Sequence, residues 1–523
     1  MGGQIEQKAP WSKAFAAWTD HRVVSMLFLG FSAGIPLLLI FSTLSVWLSE
    51  AGTSRSEVTF FSWAALGFSF KFVWAPLVDL MPLPYLTRWL GRRRAWLLLA
   101  QLMVICAISS MAMVDPAAHP GNLTLMACAA VLLGFSAATQ DIVIDAYRIE
   151  SVGQSMQAML ASMYIAGYRA GMLVAGAGAL LLASHLGTSM DGYQYGSWRL
   201  TYLAMAAVML VGVVTTLRIA EPANDRASRY SFQPWQYRRL FFLFALTAAV
   251  FALTFFLAGE RSNALQEALR GGLSGLGPLA GFGIEVLRFA LAVLLAAAVA
   301  WLGVITGFVD RQMVGQTYAN PVRDFFGRYG LRPALLLLAL VGFYRLSDVV
   351  LGVVANVFYL DMGYSKEIIA YVSQTFGLGM TLLGGFFGGM LTLRFGVNTI
   401  LLLGAFLSAI TNLLFMLLAG AGVDTAFLAM VIAADNLSAG LATTAFVAFL
   451  SSLTSISFTA VQYAIFSSVM TLMPKLIGGY SGSLVTAFGY ESFFLMTTMM
   501  GAPVLVLVWL VRRTMAAMPQ LED

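Results

Sequence analysis

The chain has 523 residues, 59% hydrophobic and only 11% charged, where a soluble domain carries about 25% charged residues. That excludes a soluble globular protein and leaves a polytopic membrane protein. The net charge is +5 and the pI about 9.1, but the basic residues gather in short loops between apolar runs, as membrane orientation requires, so no nucleic-acid partner is expected.

The opening MGGQIEQKAPWSKAFAAWTDHR is too polar to hold the apolar core of a signal peptide. A crossing helix needs about 20 predominantly apolar residues. By that rule spans fall at 23–49, 57–80, 95–114, 122–147, 156–184 and 198–218, then at 240–258 and 284–308. Six more follow at 334–360, 367–392, 397–420, 424–452, 457–486 and 490–511, fourteen in all. The loop after the second span holds Arg88, Arg92, Arg93 and Arg94. The loop after the sixth holds Arg226, Arg229, Arg238 and Arg239, and the one after the eighth Arg311, Arg323, Arg328 and Arg332. The intervening loops near 50–56, 115–121, 185–197 and 361–366 are poor in Lys and Arg. An even span count and this alternation put both termini in the cytoplasm, with Lys8, Lys13, Arg22, Arg512 and Arg513. Cys106 and Cys128 lie in apolar spans and read as small buried hydrophobes. The three histidines, His21, His119 and His185, fall in loops or at helix ends. No metal site, catalytic group or cofactor is expected.

The chain repeats itself. GFSAGIPLLLIFSTLSVWLSEAGTSRSEVTFFS (30–62) has a counterpart in GFYRLSDVVLGVVANVFYLDMGYSKEIIAYVS (342–373). Each opens on Gly-Phe, runs apolar and closes on Gly, a small polar cluster, Glu and Ser. Paired six-span halves are the signature of transporters that rock about a midplane site. The expected organisation is an all-α integral membrane protein with one six-helix bundle at 1–220 and another at 331–523. Residues 221–330 then supply cytoplasmic linkers and an inserted two-helix hairpin, predicted to lie at the periphery.

The stretch Asp79…Gly91-Arg92-Arg93-Arg94 resembles the loop motif of the major facilitator superfamily. Pro76 and extra loop residues interrupt the motif, and its second copy (Gly389…Arg394-Phe395-Gly396) lacks the Asp. A narrower likeness is carried by GFSAGIPLLLIFSTLSVWL (30–48), FFSWAALGFSFKFVWAPLVD (60–79), GRRRAWLLLAQ (91–101), SAATQDIVIDAY (136–147), GYRAGMLVAG (167–176) and NLSAGLATTAFVAFLSSLTSISFTAVQYAIFSS (436–468). These pieces resemble the AmpG-type muropeptide permeases of Gram-negative bacteria. Eukaryotic acetyl-coenzyme A transporters are more distant relatives. The resemblance implies import of N-acetylglucosaminyl-1,6-anhydro-N-acetylmuramyl peptides across the inner membrane. These are wall-turnover fragments that are recycled and sensed as inducers of β-lactamase. It also implies proton coupling by alternating access, in a monomer surrounded by lipid.

The segment TQDIVIDAYRIE (139–150) places Asp141 and Asp145 one turn apart in a span. A mid-bilayer carboxylate costs roughly 2.5–3.5 kcal/mol and marks a functional site by default. A carboxyl in a partly dry cavity takes up a proton more readily than one in water, so both are candidates for proton coupling. The bland alternative pairs Asp145 with Arg148 or the loop arginines. Lys71, Arg169, Arg345 and Asp348 are candidate substrate contacts or charge partners, because buried charges are usually paired. Arg345 and Asp348, three apart, can pair with one another, the bland reading, or across the halves to the aspartates. Gln140, Asn356, Gln374, Asn436 and Gln462 suit sugar hydroxyls and N-acetyl groups, or serve as helix–helix glue. Trp47, Trp63, Trp74 and Tyr168 could stack on sugar rings, although aromatics at span ends more often anchor at the interface. Asp79, Arg92, Arg93 and Arg94 form a candidate gating loop. The competing function is a carrier of another amphipathic anion, an acyl-coenzyme A or drug-like compound, which would need a more basic cavity. A membrane-embedded transferase lacks a buried histidine or paired metal ligands in this sequence.

Overall fold

The computed structural model describes residues 17–53, 61, 66–189, 191–222, 232–272, 277–478 and 481–517. Lys8, Lys13, Trp63, Arg226, Arg229 and the start of the predicted second span lie outside the described residues. What is described is helical, apart from one isolated bridge between Ser189 and Gly192.

The first half contains α1 (His21–Ile40), α2 (Ser42–Glu50), α3 (Leu66–Phe70), α4 (Ala75–Leu80), α5 (Leu86–Leu90) and α6 (Arg92–Ala112). It continues with α7 (Pro120–Ser151), α8 (Gln157–Leu173), α9 (Ala179–His185), α10 (Tyr195–Val208) and α11 (Leu210–Arg218). Next come α12 (Pro234–Gly272), α13 (Gly277–Ile305), α14 (Arg311–Val314) and α15 (Asn320–Tyr329). The second half is α16 (Leu331–Phe343), α17 (Leu346–Asp361), α18 (Lys366–Ile369), α19 (Gly377–Phe395), α20 (Val397–Ala421), α21 (Thr425–Leu453), α22 (Thr459–Gly478) and α23 (Ser481–Ala517).

Among the described residues, 12 helices are long and apolar enough to cross a membrane. The two of the fourteen predicted spans not among them are 57–80 and 457–486. In the first, the helix gives way to a 3-10 turn over Lys71–Val73 and restarts at α4, with Pro76 in its first turn, where the missing N–H is harmless. In the second, the apolar stretch is only Ile456–Leu472, and Pro474 follows inside α22. The last span does begin where expected. Gly489 sits at φ 77° inside α23 and splits it, a conformation glycine adopts without a Cβ penalty.

The leading helix of each half is broken. Phe41 (φ −98°, ψ −98°) separates α1 from α2, and Tyr344–Arg345 separate α16 from α17. One further helix in each half loosens into a π-helical turn, Val174–Gly178 after α8 and Ala370–Phe376 before α19. Each half also has aromatic ballast of its own. Trp47, Trp198 and Tyr202 pack in the first half, and Phe358, Phe415, Phe493 and Phe494 in the second, all fully buried. Cys106 and Cys128 differ from expectation. Both are free thiols on exposed helix faces, which suits a helix whose outer side meets lipid instead of core.

Close packing inside the halves runs through glycine. A Cβ on Gly34 would lie 2.0 Å from the Tyr168 carbonyl oxygen, and one on Gly167 1.9 Å from that of Leu27. No side chain fits there, so α1 and α8 touch backbone to backbone, the small-residue packing expected of membrane helices. In the second half Gly384 and Gly440 lock α19 to α21 in the same way, at 2.1 and 2.2 Å from the Leu437 and Thr381 oxygens.

Residues Asn224–Asp324 form a compact unit separate from the remainder of the chain. Within it α12 and α13 form the hairpin, and the Arg288 guanidinium covers the Phe255 ring at 3.9 Å and donates to its carbonyl.

Candidate functional site

Three clusters of polar groups stand out, two of them joining the two halves and one within the second. The first closes the end that bears the basic loops. Helix α6 begins at Arg92 just after Gly91 at φ 84°, a turn that aims consecutive arginines in different directions. Arg93, 1% exposed, donates to Asp79 Oδ1 (2.6 Å), both Glu150 oxygens (2.6 and 3.0 Å) and Thr459 Oγ1 (2.7 Å). Thr459 also donates a short bond to Glu150, and the Val461 amide donates to Asp79 Oδ2 (3.1 Å). Asp79, Arg93 and Glu150 from the first half are thereby tied to the start of α22 in the second. Arg92 donates to the Asp79 carbonyl and stands 3.7 Å from Glu150. Arg94 turns the other way, to the Thr216 and Leu217 carbonyls of its own half. Glu221 accepts from the Arg93 and Arg94 amides (2.8 and 3.0 Å), which caps α6, and burial raises its carboxyl above the ordinary glutamate value.

The second cluster lies deeper, on α7. This helix runs to Ser151, beyond the predicted end at 147, so Asp141, Asp145, Arg148 and Glu150 share one rigid rod. Asp145 stands 3.5 Å from Lys71 Nζ and 3.5 Å from Arg148. Lys71 is 7% exposed, held at the 3-10 break of its span instead of snorkelling. Arg148 is fully buried. It donates to Ser451 Oγ (2.8 Å) across the halves and to Gln157 Oε1 (3.2 Å), and lies over the Tyr463 ring at 5.1 Å. Among the described residues no loop arginine pairs with Asp145; Arg92 and Arg93 serve Asp79 and Glu150. Asp141, one turn further from the closed end, has a different environment. Its side chain accepts one hydrogen bond, from Tyr164 Oη at 3.3 Å, and the charges that act on it are Lys71 and Asp145. Tyr164 stands beside Tyr168 on α8, ring centroids 6.0 Å apart.

The third cluster belongs to the second half. Ser408 donates a short bond to Asp348 Oδ1, and Ser347 lies 3.5 Å from the same oxygen. Thr411 Oγ1 lies 3.2 Å from Asp435 Oδ1. The expected Arg345–Asp348 pair does not form within 4 Å among the described residues; the hydroxyl of Ser408 takes the place of the guanidinium. Arg345 lies where its charge opposes that of Arg169 on α8. These two arginines come from opposite halves, and neither has an ion pair or hydrogen bond among the described residues.

The uncharged candidates are scattered. Gln140 is buried and donates to Ser32 Oγ (3.2 Å). Asn436 accepts from Thr381 (2.8 Å) and donates to its own helix, fastening α19 to α21. Gln462 accepts from Arg328 (3.0 Å) and the Ser455 amide (2.7 Å) at the closed end. Asn356 and Gln374 are exposed. Trp47 stacks on Trp198 at 5.6 Å and donates to Tyr193, and Trp74 donates to Thr139. Both indoles are buried and offer no sugar platform. Glu150, Tyr164, Asp435, Ser451 and Thr459 escaped the sequence reading. Asp435 had a signal, a carboxylate in the span AADNLSAG (433–440). The hydroxyls had none.

Comparison with known proteins follows the same lines. Residues 23–190 match the family described as Acetyl-coenzyme A transporter 1. The chain is 29% identical to a putative transporter AmpG 4 of Rickettsia conorii over 94% of its own length and 96% of that protein's. It is 28% identical to the anhydromuropeptide permease of Escherichia coli K12, covering 96% of this chain and 82% of that one. Among solved structures, a major facilitator superfamily transporter, FucP, in the outward conformation superposes with a TM-score of 0.59 at 12% identity, over 95% of this chain and 99% of that one. The major facilitator proton:xylose symporter gives 0.56 at 14% identity, over 95% and 96%.

Proposed function

We propose that this chain, a membrane transporter of the major facilitator fold related to the AmpG permeases along nearly its whole length, imports anhydromuropeptides across the bacterial inner membrane. The cargo is N-acetylglucosaminyl-1,6-anhydro-N-acetylmuramyl peptide, destined for peptidoglycan recycling and for the signal that induces β-lactamase. Uptake is coupled to protons, and the basic loops and both termini are cytoplasmic.

The observation that carries the reading is the contrast between two aspartates one turn apart. Asp145 stands within 3.5 Å of both Lys71 and Arg148. Among the described residues Asp141 accepts from one phenol and has no ion pair within 4 Å, with Lys71 acting on it from further away. A group of that kind can be charged when water reaches it and neutral when the halves close over it. Arg169 and Arg345, from opposite halves, feel one another's charge, and neither has an ion pair within 4 Å among the described residues. They supply the positive field for the peptide-stem carboxylates, and Tyr164 and Tyr168 line the approach. The bonds from Arg93, Glu150, Asp79 and Arg148 to α22 and Ser451 close the cytoplasmic side. This is the state that accepts cargo from the periplasm.

A test is uptake of labelled anhydromuropeptide by vesicles with and without a pH gradient. Accumulation that follows the gradient and is lost in Asp141→Asn supports the reading; gradient-independent accumulation in the wild type refutes it. A second reading, a carrier of acyl-coenzyme A, is favoured by the family match over residues 23–190. Competition by coenzyme A thioesters but not by muropeptides in the same vesicles would select it.

A further inference from the structure

The second half holds two aspartates that no coupling or gating role above uses. Asp348 follows the break between α16 and α17, and Asp435 lies on α21. Asp435 feels the charges of Asp348 and Arg345, and no other cation acts on it among the described residues. Neither aspartate forms an ion pair within 4 Å among the described residues. The charged and titratable groups around them are Arg345, Tyr344 on the α16 side and Tyr359 on α17. Two carboxylates against one guanidinium leave the site one positive charge short.

The hydrogen bonding is short as well. Thr411 has a single hydroxyl proton, yet its oxygen lies within bonding distance of both the Ser408 carbonyl (3.1 Å) and Asp435 (3.2 Å). Whichever acceptor takes that proton, the other loses it. Asn412, next in sequence, is fully buried, and neither its Nδ2 nor its Oδ1 finds a partner. It sits one turn on from Ser408, whose hydroxyl touches Asp348, so the two side chains leave α20 from the same face. A buried amide with both atoms unsatisfied is costly, and this one lies one turn from the hydroxyl that touches Asp348 and next in sequence to the one that touches Asp435. Hard cations are held by carboxylate and carbonyl oxygens, and in secondary transporters coupling-ion sites lie by discontinuous membrane helices.

We propose that the second half binds one sodium ion, held by the carboxylates of Asp348 and Asp435 with oxygens of Ser408, Thr411 and Asn412. Ser408, Thr411 and Asn412 are 7%, 4% and 0% exposed, while the two aspartates are only half-buried. The ion enters past the carboxylates and meets a dry floor of neutral oxygens. This inference is independent of what the carrier transports, and its test needs no cargo.

The purified full-length protein is melted in choline chloride and again across a sodium chloride titration at constant ionic strength. The expected result is a melting temperature that rises and saturates with sodium. Asn412→Ala and Asp435→Asn, each folded in choline, should need several-fold more sodium for the same rise or lose it. An unchanged wild-type melt in sodium overturns the proposal, and this holds even if a variant fails to fold. A melt that rises on acidification without any sodium dependence assigns the missing charge to a proton and also overturns it.

Discussion

Replacing Arg93 by Ala should open the end that the structure shows closed. Arg93 is buried against Asp79 and Glu150 at 2.6 Å each, and removing one partner of a buried ion pair costs about 3–5 kcal/mol because the other charge is stranded. Arg92 stays 3.7 Å from Glu150 and softens the loss, so the low end, about 3 kcal/mol, is the working figure. The penalty applies while Asp79 and Glu150 are dry. When the halves part and water reaches them it largely vanishes. The equilibrium should therefore move toward opening by about two orders of magnitude, at 1.4 kcal/mol per tenfold. Thr454, 7% exposed, can be made a cysteine in a background lacking Cys106 and Cys128. Its modification by an impermeant maleimide in inside-out vesicles then reports the opening. Arg94→Ala is the control, since Arg94 bonds only to its own half and should leave labelling unchanged. Equal labelling in wild type and Arg93→Ala would refute the idea that these bonds gate the pathway.

Other outcomes follow from the same geometry. Asp145→Asn leaves Lys71 and Arg148 buried without their carboxylate and should cost about 3 kcal/mol, seen as a lower melting temperature; Asp141→Asn should melt like wild type. Gly167→Ala drives a methyl into the Leu27 carbonyl and should destabilise by at least the 1–3 kcal/mol typical of overpacking, again read by melting. Glu221→Ala removes the acceptor of two amides at the start of α6 and should cost about 1 kcal/mol. Glu221→Gln keeps one acceptor but turns an NH2 toward the other amide, so it should cost part of that at pH 7. Because burial raises the Glu221 carboxyl, its protonated form favours the fold. That contribution is complete below the unfolded value and is lost as pH rises through the folded one, so melting should rise on acidification in wild type through a step that Glu221→Gln lacks.

The helices were legible because a crossing segment must be continuously apolar, and that is a property of composition. The departures have local causes. Pro76 and the turn at Lys71 interrupt one span without altering its hydropathy, and α7 continues to Ser151 because Arg148 and Glu150 find partners that make a polar end tolerable inside protein. The charged site residues stood out by their cost in a membrane, and Lys71, Asp145 and Arg148 do meet. What stayed hidden is the other side of each bond. Thr459, Ser451 and Tyr164 are common, cheap residues whose importance comes only from the helix opposite. Asn412 could not be told from any other amide until its neighbours were seen to leave it empty-handed.

The glycine contacts and the loosened turns lie next to one another along the chain. In the first half the glycines of α1 and α8 end just short of Phe41 and of Val174–Gly178. In the second half the glycines of α19 begin just after Ala370–Phe376. The portions nearer the basic loops are thus clamped into stiff blocks, while the portions beyond are joined to them through weakened turns. A carrier so built need not swing each half as one plate. Its far ends can flex like fingers on a fixed palm, folding over cargo before the palms themselves separate.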